Sequence, residues 1–437
     1  MMVHYDPEFY RGKRVFVTGH TGFKGSWLCK MLLMAGAEVT GYSLQPPTQP
    51  NLFSIAGVED KMHSVIGDIR DFDALKAAFD AAQPDIVLHL AAQPIVRDSY
   101  KDPRYTYETN VMGTVNLLEC VRLARQQGRA PRSVLNVTTD KVYHNNEWAW
   151  GYRENEPLDG FDPYSNSKSC SELATHSYIN SFFADKTVAV STARAGNVIG
   201  GGDFANDRII PTASAPCRGR KIGVRNPYST RPYQHVLEPL AAYLLIAQRQ
   251  YEDSRFAGYY NVGPDDCDCV TTGTLVDLFC RAWGGDAAWE NQAEANAPHE
   301  ANFLKLDCSK LKTTFAGRRA GTWPSAWKRP SPQQDLACQR RRPGGDGKGN
   351  QQLLRGAEMT KEQRSIASAY VISALVGGVY LISWLTHVWG DQPWPINSNM
   401  VNYAVFLVLF GVSLLLFGNL FARILPQERG IVRACDA

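Results

Sequence analysis

Cysteine is sparse and unpaired in this sequence: 437 residues carry ten, and only Cys267 and Cys269 lie close together, as CxC. No CxxC pair or His-rich partner spacing accompanies them. A disulfide framework is therefore not expected, and a structural zinc site at Cys267/Cys269 has little to recommend it. No secretory leader is read at the start, where MMVHYDPEFYRGK runs straight into a strand-like segment. The expected compartment is reducing. A large excess of one charge is missing as well. Residues 1–315 hold 32 Lys and Arg against 36 Asp and Glu, whereas residues 316–365 hold 11 against 4. A mildly acidic body followed by a basic connector, with no base-reading motif, argues against nucleic-acid binding. No internal repeat is evident.

What is present alternates. Residues 13–18 (KRVFVT) are β-rich and apolar, and SWLCKMLLMAGA has helical spacing. Strands are predicted at 38–43, 63–66, 85–90, 133–137, 187–193 and 259–262, and helices at 72–82, 109–126, 165–183 and 237–250. DIVLHL is almost continuously apolar, as a parallel strand buried on both faces should be. The alternation predicts an α/β protein with a Rossmann-type doubly wound parallel sheet. Past Gly196 the pattern loosens into Gly, Pro, Arg and aromatic residues, the look of a smaller lobe at the carboxyl edge of the sheet. The expected organisation is a dinucleotide-binding domain over 8–195, a substrate lobe over 196–315 and a basic disordered linker over 316–365. Two apolar runs, 366–389 and 401–425, are each long enough to span a bilayer and are joined by eleven polar residues. They read as a transmembrane hairpin with both ends on the cytoplasmic side, because Lys and Arg flank the spans and are absent from the loop.

Gly19, Gly22 and Gly25 form TGxxGxxG directly after the first strand and at the opening of a helix. The first glycine permits the turn, the second lets backbone approach a pyrophosphate, and the third packs helix against strand. Phe23 and Lys24 lie inside the same loop. Asp68 and Ile69, in GDIRD, are placed to flank an adenine. Leu90, Ala91, Ala92 and Gln93 follow the fourth strand where backbone must pass close to a cofactor. The acid that ordinarily grips the ribose 2′-hydroxyl is missing: the segment reads TGYSLQPP, with Ser43 at the expected place. No arginine replaces it to welcome a 2′-phosphate, so NAD is preferred over NADP without an acidic anchor.

Tyr164 and Lys168 form YxxxK, which places both side chains on one helical face. An ammonium beside a tyrosine lowers the phenol's pKa and equips it to take a proton from a hydroxyl. Upstream, a predicted strand ends in Thr138-Thr139-Asp140-Lys141, again at the carboxyl edge of the sheet.

These segments, with Asn110–Glu119, Arg194–Asp203, Asn226–His235 and His299–Asp307, resemble the extended short-chain dehydrogenase/reductase family in its nucleotide-sugar-modifying branch. Asp-Lys after the Thr pair is similar to the CDP-glucose dehydratase group, where many relatives carry Asp-Glu. The resemblance covers residues 8 to 315. It implies a hydro-lyase that converts CDP-glucose to its 4-dehydro-6-deoxy product with NAD, in deoxysugar and O-antigen synthesis, working as a homodimer or homotetramer. It assigns catalysis to Thr139, Asp140, Lys141, Tyr164 and Lys168, and substrate contacts to Asn197, Arg208, Arg231, His235 and His299. Two alternatives stay open: a nucleotide-sugar 4-epimerase, which needs Tyr164 and Lys168 but not the Asp140–Lys141 pair, and a non-catalytic cofactor-binding protein tethered to a membrane.

Overall fold

The computed structural model describes residues 5–205, 209, 221–283, 288–293 and 301–315. Seven strands make one wholly parallel sheet: β1 (Arg14–Thr18), β2 (Glu38–Ser43), β3 (His63–Ile66), β4 (Ile86–His89), β5 (Ser133–Val137), β6 (Ala189–Ala195) and β7 (Tyr259–Val262). Their spatial order is β7-β6-β5-β4-β1-β2-β3. The direction of winding reverses between β1 and β4, which opens a crevice at their carboxyl ends. Five helices cover the sheet: α1 (Phe23–Met34), α2 (Phe72–Ala82), α3 (Gly113–Gln126), α4 (Pro163–Phe182) and α5 (Leu237–Glu252).

Period-two alternation explains why the strands read as continuous apolar runs. Val15, Val17, Ile86, Leu88 and Leu135 pack on one face against Leu28, Leu32, Leu240 and Leu244 of α1 and α5. Phe16, Val87, Val134 and Val190 point to the other, against Leu75, Phe79, Leu117 and Val121 of α2 and α3. Neither face meets water, so β1 and β4 are mostly apolar, and the polar residues of β5 and β6 (Ser133, Asn136, Ser191, Thr192 and Arg194) are buried with hydrogen-bond partners.

Two of the boundaries that differ from the sequence reading have a visible cause. The strand expected at 187–193 runs from Ala189 to Ala195. The Asp185 carboxylate accepts hydrogen bonds from the Thr187 amide and hydroxyl, which holds Thr187 in the preceding turn. The helix expected from 109 opens as a π turn, Glu108–Met112, before α3. There the Asn110 side chain accepts from Gln93 N (2.8 Å) and donates to Gln93 O (3.1 Å) and Ser167 Oγ (2.9 Å). One buried amide thus ties the loop after β4 to α4, and the extra residue in the turn aims it there.

Beyond β6 the expected looser region contributes short pairs: Ile222–Val224 with Trp289–Asn291, and Thr230–Arg231 with Val270–Thr271. Among the described residues no helix is long and apolar enough to cross a membrane. The linker and the hairpin expected at 366–425 lie outside the described residues, as do Arg208 and His299.

Candidate active site

The carboxyl ends of β1, β2, β4, β5 and β6 surround a cavity of about 590 Å³. Gly19 turns with φ +77°, and a Cβ there would stand 2.8 Å from Ala91 N, so the loops after β1 and β4 touch. A Cβ on Gly25 would come within 2.0 Å of the Gly19 carbonyl oxygen, which is the close helix–strand packing that the third glycine was expected to serve. Gly22 is the N-cap of α1, and no side chain caps the helix, so its amide end faces the cavity as an anion site. These features fit a dinucleotide pyrophosphate.

Thr18, at the end of β1, fastens the two loops. Its Oγ1 accepts from the amides of Leu90 and Ala91, both at 3.1 Å, which leaves its proton for Nδ1 of His89 at 2.7 Å. The His89 proton therefore sits on Nε2 and is donated to Thr114 Oγ1 at 3.1 Å. Burial, helped by the charge of Lys168, lowers the His89 pKa to about 3, so the ring stays neutral.

At the end of β2, Thr21 Oγ1 donates to the Leu44 carbonyl at 2.8 Å and lies 2.9 Å from Ser43 Oγ. Asp68 lines the cavity, but its carboxylate is bound by Arg70 (2.7 Å), which holds it below the ordinary carboxylate range. A Cβ on Gly113 would meet Ile69 Cγ2 at 2.7 Å, so α3 presses directly on the adenine-side wall.

On the opposite wall, α4 is started by Asp162, whose Oδ1 accepts from Ser165 N at 3.0 Å, with Pro163 at its first position. This start places Tyr164 in the first turn and Lys168 one turn on, both lining the cavity. Lys168 is buried and donates to the Val137 carbonyl at 3.2 Å. Burial and the charge of Lys24 bring its pKa down to about 8, against the opposing pull of Glu172.

Asp140 is 1% exposed. Thr139 Oγ1 donates to its Oδ1 at 2.9 Å, while its Oδ2 has no hydrogen-bond partner. Burial raises the Asp140 carboxyl above the usual range although Lys141, Thr139, Arg231 and Lys24 pull the other way. Arg231 is buried too, and its Nη1 lacks a hydrogen-bond partner inside the cavity wall.

The cavity gathers the expected Gly19, Gly22, Phe23, Lys24, Gly25, Ser43, Asp68, Ile69, Leu90, Ala91, Ala92, Gln93, Thr139, Asp140, Lys141, Tyr164, Lys168, Asn197 and Arg231. His235 is not among its lining residues. It is half-buried on the Gln234–His235 strand, where its Nδ1 accepts from Leu237 N at 3.3 Å. Among the described residues no group of three or more His, Cys, Asp or Glu is placed to hold a metal.

Sequence reasoning missed the support beneath the catalytic wall. Glu172, one further turn along α4 from Lys168, accepts from Thr138 Oγ1 (2.5 Å), Thr192 Oγ1 (2.8 Å) and Arg194 Nη2 (2.9 Å). Arg194 in turn donates to the Tyr143 hydroxyl (2.9 Å) and the Glu154 carbonyl (3.0 Å). A glutamate four positions past the lysine on the same face was the available signal. Thr21 in the glycine loop, Tyr233 in the Asn226–His235 segment, and Arg97 and Arg225 also line the cavity, although the sequence reading did not single them out.

The family model for GDP-mannose 4,6-dehydratase matches residues 16–313. The CDP-glucose 4,6-dehydratase of Salmonella typhimurium is 53% identical over 312 residues, which is 70% of this chain and 86% of that protein. Among solved structures, a dTDP-glucose 4,6-dehydratase from Streptomyces venezuelae with NAD bound superposes with a TM-score of 0.59 at 21% identity. It covers 75% of this chain and 97% of its own. A UDP-glucose 4-epimerase from Thermus thermophilus in complex with NAD gives 0.59 at 24% identity, over 71% and 95%. Both structural likenesses speak for the fold. The Rossmann sheet, the cavity at its carboxyl edge and a sequence match that spans both together establish that this chain belongs to the GDP-mannose 4,6-dehydratase family.

Proposed function

We propose that the chain is an NAD-dependent hydro-lyase that converts CDP-D-glucose to CDP-4-dehydro-6-deoxy-D-glucose. One observation carries the reading beyond the family: a fully buried acid, Asp140, has a raised pKa and one unpartnered carboxyl oxygen, and it lines the same cavity as Tyr164 and Lys168. An epimerase has no use for such a group. A dehydratase needs a proton donor for the departing hydroxyl.

NAD, when bound, would supply the hydride acceptor for oxidation at C4 and the hydride donor for reduction at C6. Tyr164 takes the 4-hydroxyl proton, assisted by the positive charge of Lys168 one turn away. Thr139 bonds the substrate hydroxyl. With C4 oxidised, the C5 proton becomes acidic and the neutral amine form of Lys141 removes it, becoming the ammonium that later returns a proton to C5. Asp140, whose carboxyl burial shifts toward the protonated form, gives its proton to the leaving 6-hydroxyl, and water departs. C5 is reprotonated as the hydride comes back, so the net change is loss of one water and nothing is oxidised overall. Gly19, Gly22, Phe23, Lys24 and Gly25 hold the pyrophosphate. Asp68 and Ile69 flank the adenine, and Leu90 to Gln93 line the nicotinamide side.

Arg231 is the diphosphate ligand of the sugar nucleotide, since a guanidinium suits bidentate contact and its Nη1 has a hydrogen bond to give. Asn197 lines the same cavity, with Arg208 and His299 assigned by the resemblance alone. The product class points to deoxysugar and O-antigen synthesis. The division into a 8–195 cofactor domain and a 196–315 substrate lobe, a homodimeric or homotetrameric state, and a cytoplasmic body tethered through residues 366–425 complete the proposal.

Incubating the protein with NAD⁺ and a panel of nucleoside diphosphate hexoses tests the reading. CDP-glucose should lose one water by mass with no net build-up of reduced nicotinamide. A product of unchanged mass would replace the dehydratase by an epimerase.

A further inference from the structure

The cofactor cavity lacks the acid that normally selects NAD, yet the end of β2 carries a polarised pair of hydroxyls. Thr21 Oγ1 lies 2.8 Å from the Leu44 carbonyl, which can only accept, so the single Thr21 proton is committed there. Ser43 Oγ lies 2.9 Å from Thr21 Oγ1. With the threonine proton already spent, the Ser43 proton must run toward Thr21. The order of donation is Ser43 to Thr21 to Leu44 O, and Ser43 turns only lone pairs toward the cavity it lines. Thr21 is 4% exposed, so water does not easily break this order.

We infer that Ser43, made acceptor-only by Thr21, selects a free ribose 2′-hydroxyl and rejects a 2′-phosphate, so that a neutral relay does the work of the missing carboxylate. The inference rests on the reading of the cavity as a nicotinamide dinucleotide site. A 2′-hydroxyl can donate to Ser43, as it ordinarily does to an acid at the end of the second strand. A 2′-phosphate has acceptors only, and would meet lone pairs unless Ser43 gave up its bond to Thr21. From the ends of β2 and β3 the described wall consists of Tyr42, Ser43, Leu44, Gln45, Pro47, Gly67, Asp68 and Ile69, with no Lys or Arg among them. The neighbouring Arg70 is occupied by Asp68 (2.7 Å) and Glu108 (3.1 Å) and lies over the Tyr105 ring.

Calorimetric dissociation constants of the full chain for NAD⁺ and NADP⁺ test the relay without reference to turnover. The wild-type chain should prefer NAD⁺. Thr21→Val frees the Ser43 proton to point into the cavity, so the preference should shrink by roughly threefold to tenfold, the size of one net hydrogen bond. Ser43→Ala removes the acceptor and should weaken NAD⁺ by a similar factor while leaving NADP⁺ little changed. The double variant T21V/S43D should regain the preference, because a carboxylate accepts whatever Thr21 does. An unchanged NAD⁺/NADP⁺ ratio in folded Thr21→Val would overturn the relay, as would an unchanged ratio in Ser43→Ala should the threonine variant fail to fold. A wild-type chain that binds neither dinucleotide would instead remove the cofactor reading itself, and the relay with it.

Discussion

Replacing Glu172 with glutamine should damage the protein in two separable ways. Glu172 and Arg194 are 1% and 3% exposed at the side chain and 2.9 Å apart. Glutamine can still accept from Thr138, but it leaves the Arg194 charge buried without a counter-ion. Removing one partner of such a pair costs about 3–5 kcal/mol, which for a chain of this size lowers Tm by roughly 5 °C. The second effect is electrostatic. Glu172 is what holds the Lys168 pKa up against burial and Lys24. Without the carboxylate that pKa falls further below about 8, the ammonium is lost at a lower pH, and the alkaline limb of kcat/KM moves toward acid. Thermal unfolding followed by circular dichroism reads the first effect and a pH–rate profile the second. A double replacement, Glu172→Leu with Arg194→Met, should recover most of the stability, since two buried charges exchanged for apolar groups of similar volume are roughly neutral. It should not recover the pH profile. If Glu172→Gln melts within about 1 kcal/mol of wild type and keeps its alkaline limb, the ion pair is neither the support nor the charge source argued here.

Asp140→Asn should slow elimination about 10²–10⁴-fold while C4 oxidation continues, so reduced nicotinamide should build up in single-turnover absorbance; an ordinary steady-state product yield would end its role as the acid. Lys141→Ala should suppress exchange of the C5 proton into deuterated water more than it weakens NAD⁺ binding, and exchange at the wild-type rate would acquit Lys141 as the base. Buried His20 and His89 have pKa values lowered to about 4 and about 3. The unfolded chain therefore binds protons that the folded chain refuses as pH drops below the ordinary value near 6.5. Each should withdraw about 2 kcal/mol of stability between pH 6.5 and 5, and urea midpoints that stay flat over that range would contradict their burial as neutral rings. Gly25→Ala puts a Cβ 2.0 Å from the Gly19 carbonyl oxygen; NAD⁺ affinity by calorimetry should collapse, and wild-type affinity would refute the packing role. Full-length protein should pellet with membranes and resist alkaline extraction, whereas a chain ending before Met359 should not; recovery of the full-length chain in the supernatant would remove the anchor.

Composition and spacing were enough for the sheet, because strands buried on both faces are largely apolar, as residues 15–17 and 86–88 are. The glycine loop, Tyr164 with Lys168, and Ser43, each picked out by short separations along one element, come together in the lining of one cavity. What lay beyond them involves residues far apart in the chain. Glu172 reaches Thr138 and Arg194 only because β5, β6 and α4 converge. The Nε2-protonated tautomer of His89 follows from two amides that crowd Thr18 Oγ1 and its neutral state from burial, and the direction of the Ser43 proton follows from Thr21, whose own proton goes to the Leu44 carbonyl. His235, assigned by its motif to the substrate, is instead absent from the cavity lining because its strand holds it against Leu237 N. The pattern of side chains along an element is written locally, but proton positions, burial and charge states depend on what other elements bring within a few ångströms, and only the tertiary structure decides that.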